Sequence, residues 1–88
     1  MVVKKSVLFK LNSPGAQKVA IVGDFNNWDT ERHLLKKDKA GVWSIRLRLA
    51  AGWHEYRFMV DGVWQDDPYC LNFISNNVGG RNCVIVVE

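Results

Sequence analysis

The sequence predicts an all-β chain folded as a two-sheet sandwich, on three observations. Short runs alternate apolar and polar residues with period two, no segment holds a 3.6-residue apolar period for the length of a helix, and turn formers separate the runs. About seven strands at this spacing predict an immunoglobulin-like β-sandwich within a single domain over residues 1–88.

VLFKL (7–11) places Val7, Phe9 and Leu11 on one face, and Pro14-Gly15 ends the run as a turn. KVAIV (18–22) is a second strand. Lys36-Lys37-Asp38-Lys39 reads as a solvated turn. WSIRLRL (43–49) sends Trp43, Ile45, Leu47 and Leu49 to the core and Ser44, Arg46 and Arg48 to water. WHEYRFMV (53–60) puts Tyr56, Phe58 and Val60 on one side and Glu55, Arg57 and Met59 on the other, then meets Asp61-Gly62, a two-residue hairpin signal. VWQ (63–65) is the return strand. A polar loop with Asn76-Asn77 and Gly79-Gly80 follows, and CVIVV (83–87) closes the chain as a buried strand.

Composition narrows the function classes. At 88 residues, 48% hydrophobic and 24% charged, the chain has one modest core. Cys70 and Cys83 are too few for a disulfide framework, no further Cys or paired His stands at a zinc-site spacing, and neither a metal nor a cofactor is expected. No signal-peptide stretch or membrane-spanning run is present, so a cytoplasmic location with free thiols is expected. The charge is +3, with twelve basic residues scattered among nine acidic ones rather than gathered in a stripe.

The segment GDFNNWD (23–29) sets Trp28 among turn formers, so its indole is expected on a surface loop. With Asp61-Gly62 at the turn, Val60 pairs with Val63 and Met59 with Trp64, which gives Trp64 the face of Arg57, opposite Phe58. Trp64 therefore points outward, either toward a ligand or as a cross-strand cover for Met59. Trp43 belongs to the core, and Trp53 is left unassigned. Two outward indoles beside a guanidinium suit a flat, hydroxyl-rich ligand. A sugar ring can lay its C–H face on an indole while Arg57 donates to its hydroxyls and an amide such as Asn82 both donates and accepts. One small open surface of this kind binds weakly and gains from avidity on a polymer.

GDFNNWD, WHEYRFMVDGVWQDDP and GGRNCVIVV, in this order over about Val7 to Val87, resemble carbohydrate-binding module family 48, the glycogen- and starch-binding modules found beside the catalytic barrels of isoamylases and branching enzymes and in the β subunit of AMP-activated protein kinase. The resemblance implies an early-set, immunoglobulin-like sandwich that binds α-1,4-linked glucan without catalysis. It assigns the stacking tryptophans to Trp28 and Trp64, the basic hydrogen-bonding residue to Arg57, where lysine is common, the late asparagine to Asn82, and an apolar residue against the sugar to Val78, in a loop of different length. Trp53 stands where the family usually has a polar residue. Partners implied are an α-glucan and a glucan-metabolising enzyme.

Three other classes compete. Catalysis lacks a site: Asp66 and Asp67 are sequential and point apart on a strand, and His33 and His54 have the look of ordinary loop and strand residues. Single-stranded nucleic acid would need a basic stripe beside the aromatics, and no membrane partner is indicated. A protein-docking or regulatory module that has lost sugar binding is the alternative. Taken as a whole, a chain ending at Glu88 reads as a free-standing binding module.

Overall fold

The computed structural model describes residues 3–88. Among these residues eight strands run in order: β1 (Lys4–Asn12), β2 (Val19–Gly23), β3 (Lys36–Lys37), β4 (Val42–Ala50), β5 (Gly52–Val60), β6 (Val63–Gln65), β7 (Asn72–Ser75) and β8 (Arg81–Val87). A 3₁₀ turn, Asp24–Asn26, follows β2. They form two antiparallel sheets, β1-β4-β3 and β2-β5-β8-β7, with β6 also on β5. The result is the expected immunoglobulin-like sandwich. Among the described residues no helix is long and apolar enough to cross a membrane.

Strand parity builds the core. Phe9 and Leu11 of β1, Trp43 and Leu49 of β4, Val19 and Ile21 of β2, Tyr56 and Phe58 of β5, and Cys83 and Val87 of β8 are all buried in one cluster. Phe9 and Tyr56 meet edge-on across the sheets, with ring centroids 5.1 Å apart. Trp43 is buried as expected, and its Nε1 donates to the Ser13 carbonyl at 2.8 Å, which satisfies the one polar atom of the ring. Tyr56 donates its hydroxyl to Asp67 Oδ2 at 2.6 Å, and the Tyr69 amide donates to Oδ1 at 2.9 Å. Burial first, then the Asp67 bond, pushes the Tyr56 phenol well above its ordinary range. Asp66 and Asp67 do point apart: Asp66 reaches arginines on the surface while Asp67 ties the following turn to the core.

The hairpin has the expected register, with Val60 opposite Val63 and Met59 opposite Trp64. Both turn residues have positive φ, 49° at Asp61 and 83° at Gly62, the requirement of a type I′ turn whose twist matches the strands. Asp61 Oδ1 also accepts from the Gln17 and Lys18 amides, which fastens the turn to the start of β2.

Two expectations about elements need correction. Lys36 and Lys37 are solvated but belong to β3, paired with Ser44 and Trp43, and the turn itself is held by Asp38 Oδ1 accepting from Ala40 and Val42. Asn72–Ser75, outside the expected strands, pairs with β8 as β7. Its residues are all at least partly open to water, so no buried face shows in its pattern.

The charge is also less scattered than the linear sequence implied. The pairing of β1 with β4 and of β3 with β4 sets Lys4, Lys10, Lys36, Arg46 and Arg48 on one outward face, all exposed. Parity of distant strands gathers what the chain spreads. These five leave seven basic residues elsewhere against nine acids.

Candidate functional site

The loop after β2 is built by its own short polar side chains. Gly23 lies so close to β5 that a Cβ there would stand 2.5 Å from the Glu55 carbonyl oxygen. Asp24 accepts from the Glu55 amide at 2.9 Å and from His54 Nδ1 at 3.1 Å, which pins the loop to β5. Phe25 packs on the core beside Phe9. The buried Asn26 amide accepts from the Gly23 N–H and donates to the Ile21 carbonyl and to His33 Nδ1, each at 3.0 Å. Asn27 and Trp28 then take φ of 58° and 59°, two consecutive left-handed residues. Asparagine tolerates that region; a bulky aromatic does so at a cost of about 1–2 kcal/mol. Strain at an exposed aromatic is the kind of feature that marks a functional loop.

His33 and His54 thus brace this loop at two points, through Asn26 and Asp24 respectively. His33 receives the Asn26 bond on a bare ring nitrogen, so the neutral imidazole fits. Burial, then the nearby Arg32 charge, lowers the His33 pKa below 6.5, partly offset by Asp29. As pH falls below 6.5 the unfolded chain takes up this proton before the folded one, so stability is full above that value and declines below it. The expected result is a melting temperature that drops between pH 7 and pH 5 in the native chain, with a smaller drop in His33→Gln, which keeps an acceptor but cannot titrate.

Trp28, Arg57, Trp64, Val78 and Asn82, the five residues selected from sequence, converge with Asn76 around one open groove of about 250 Å³. Trp28 and Trp64 are 38% and 42% exposed, enough to offer part of each ring to solvent. The Arg57 guanidinium lies over the Trp64 ring, 5.8 Å from its centroid, and is drawn to Asp66 at 3.3 Å. Asp66 in turn accepts from Arg81 Nε at 3.0 Å, so one carboxylate positions two guanidinium groups. Asn82 donates to Glu55 Oε1 and accepts from Asn76 Nδ2, both at 3.2 Å, which leaves its amide one further donor and one further acceptor position. Asn76 Oδ1 accepts from the Val78 and Gly80 amides, and this knot presents Val78, 89% exposed, on the groove rim.

Asn76, Asp66 and Glu55 are site-shaping residues that sequence reasoning missed. Their roles depend on partners 6, 9, 15 or 27 positions away, and no local spacing announces them. Trp53 is exposed on the same face of β5, opposite Val86, but does not line the groove.

An immunoglobulin-like sandwich with an open aromatic and polar groove on the outer face of one sheet has the form of a small recognition module. The chain belongs to the family described as the glycogen recognition site of AMP-activated protein kinase, whose model matches residues 6–88. It is 36% identical over 72 residues to protein FLOURY ENDOSPERM 6, chloroplastic, of Oryza sativa subsp. japonica, covering 82% of this chain and 13% of that protein. To PTST homolog 2, chloroplastic, of Arabidopsis thaliana it is 38% identical over 73 residues, 83% of this chain and 13% of the relative. To 1,4-alpha-glucan branching enzyme GlgB 2 of Clostridium perfringens it is 36% identical over 76 residues, 77% and 12% respectively. The chain therefore spans about one-eighth of the length of these relatives.

Proposed function

We propose that this chain is a non-catalytic module that binds α-1,4-linked glucan in the groove bounded by Trp28 and Trp64. The observation that carries this is convergence: residues from the loop after β2, from β5, β6 and β8 and from the β7–β8 loop meet around one opening on the outer face. Family membership supports a glucan, and the branching-enzyme relative names a 1,4-glucan as its substrate. In this reading the indoles take the apolar faces of glucose rings, Arg57 and the remaining donor and acceptor of Asn82 take hydroxyls, and Val78 closes the rim. A groove of this size engages a short stretch of chain, so strength comes from many sites on one polymer. A reducing compartment, cytoplasmic in this proposal, suits Cys70 and Cys83, which are both free. Burial first, and then its contact with Cys70, pushes the Cys83 thiol up to about 12, which keeps it protonated and unreactive at neutral pH.

Native gel electrophoresis with glycogen in the matrix, at low and high salt, tests the assignment. Retardation is expected at both salt levels, because stacking on a neutral polymer involves no counterion release, whereas phosphate binding would fall steeply with salt. Arg57→Ala is expected to reduce retardation without abolishing it. Free migration of the folded native chain with glycogen, amylose and starch would exclude sugar binding and leave the protein-docking alternative.

A further inference from the structure

The β1-β4-β3 sheet has an open edge on β1, beside an apolar groove that the glucan site does not use. Along β1, residues 4, 6, 8, 10 and 12 face outward, and among the described residues the edge away from β4 has no backbone pairing. The last residues of β8 are similarly open on one side, because β7 pairs only as far as Val84. Between these two edges runs a groove of about 810 Å³ lined by Leu8, Phe9, Lys10, Tyr69, Leu71 and Val86 among others. Leu8, Tyr69, Leu71 and Val86 are all exposed there. The outward face next to this edge carries Lys4, Lys10, Lys36, Arg46 and Arg48 around Leu8, and among the described residues none of these five forms an ion pair. The one acid of matching parity, Asp38, lies at the far corner and its Oδ1 is occupied by the Ala40 and Val42 amides.

An edge strand with unpaired backbone, a basic outward face and a largely apolar groove along its open side specifies the chemistry of its complement. We propose that an extended acidic segment of a partner polypeptide adds to β1 as a new strand of this sheet. Its alternate residues lie as carboxylates over the basic face and as apolar side chains in the groove. Lysines on an edge strand guard against pairing between copies, since two such faces brought side by side repel. The same charges select an acidic strand, so one device serves both exclusion and recognition. Among the described residues Tyr69 is the one exposed aromatic lining this groove, where a single-stranded nucleic acid would need a succession of rings to stack its bases.

Panning a random library of nine-residue peptides, the length of β1, against the whole chain tests the proposal, followed by amide-resolved NMR titration of the strongest binder. Enriched peptides are expected to alternate Asp or Glu with Val, Ile or Leu. They should shift the amides of residues 4–12 and 69–72, slow hydrogen exchange along β1, and lose binding when their backbone is N-methylated. The double variant Lys10→Glu with Arg46→Glu should weaken the selected peptide about tenfold, with retention in glycogen gels unchanged. The last readout separates this surface from the glucan groove, so either assignment can fail alone. No enrichment, enrichment without acids, or a footprint away from β1 would overturn the proposal. So would a β1-mediated dimer of the free chain, or tighter binding of oligothymidylate or phosphatidylserine vesicles at the same face.

Discussion

Trp28→Asn is expected to abolish retention in glycogen gels while leaving the urea unfolding free energy within about 1 kcal/mol of the native value, because two stability terms oppose each other. Trp28 has φ of 59°, a region where asparagine is at home and an aromatic is strained, so the substitution recovers about 1 kcal/mol. It also gives up the packing of an indole that is 38% exposed, and so partly buried, a loss of about 1–2 kcal/mol. Binding has no such compensation. An indole face that hides about 80 Å² of apolar surface against a sugar contributes about 2 kcal/mol, about 30-fold in affinity, and a weak multivalent interaction does not survive that loss. Trp64→Ala should match it in the gel. Retention unchanged in both variants would remove the indoles from the site, and a loss of stability of several kcal/mol in Trp28→Asn would make that residue a structural one.

The second large effect falls on Gly23, whose role is steric. Its φ of −163° is ordinary extended backbone, but an added Cβ would stand 2.5 Å from the Glu55 carbonyl oxygen and 2.7 Å from the Phe25 ring. The carbonyl belongs to β5 and cannot swing away. Gly23→Ala is therefore expected to cost about 1–3 kcal/mol, a large share of the roughly 4–13 kcal/mol available to a domain of this size. Its backbone also accepts from the Trp28 amide at 2.9 Å and donates to Asn26, so the loop should loosen and glycogen retention fall with stability. Gly15→Ala, where nothing lies within 4 Å of the new Cβ, is the control and should shift the urea midpoint little in either direction. Equal midpoints for the two variants would show that β2 and β5 can part at this point without cost.

Legibility in the sequence followed the range of the interaction. The strands of β1, β4 and β5 were readable because alternation is a property of neighbouring residues and their buried faces are long. The Asp61-Gly62 turn was readable because its positive φ values and its register are local, and that register carried Trp64 to the outward face beside Arg57. By contrast β3 has two residues, and β7 has no buried position to mark its face. His33 and His54 looked ordinary because their partners, Asn26 and Asp24, are chosen by the path of the loop. Asn76 gave no sign of its work because its hydrogen bonds exist only once the loop between β7 and β8 is closed.

What the sequence determined by itself was the fold class, the core faces and the choice of five residues that line one groove, since period, turn chemistry and motif order are written along the chain. The tertiary structure decided which of them share a surface. Trp28 reaches the groove because Asp24, Asn26 and the close approach at Gly23 bend its loop onto β5, against the conformational preference of an aromatic residue. The basic face is likewise a product of pairing, since Lys4 comes beside Arg48, and Lys10 and Lys36 flank Ser44, only through antiparallel registers. Period and turn preference act between adjacent residues, whereas a surface is a sum over strands distant in the chain, and only packing brings those together.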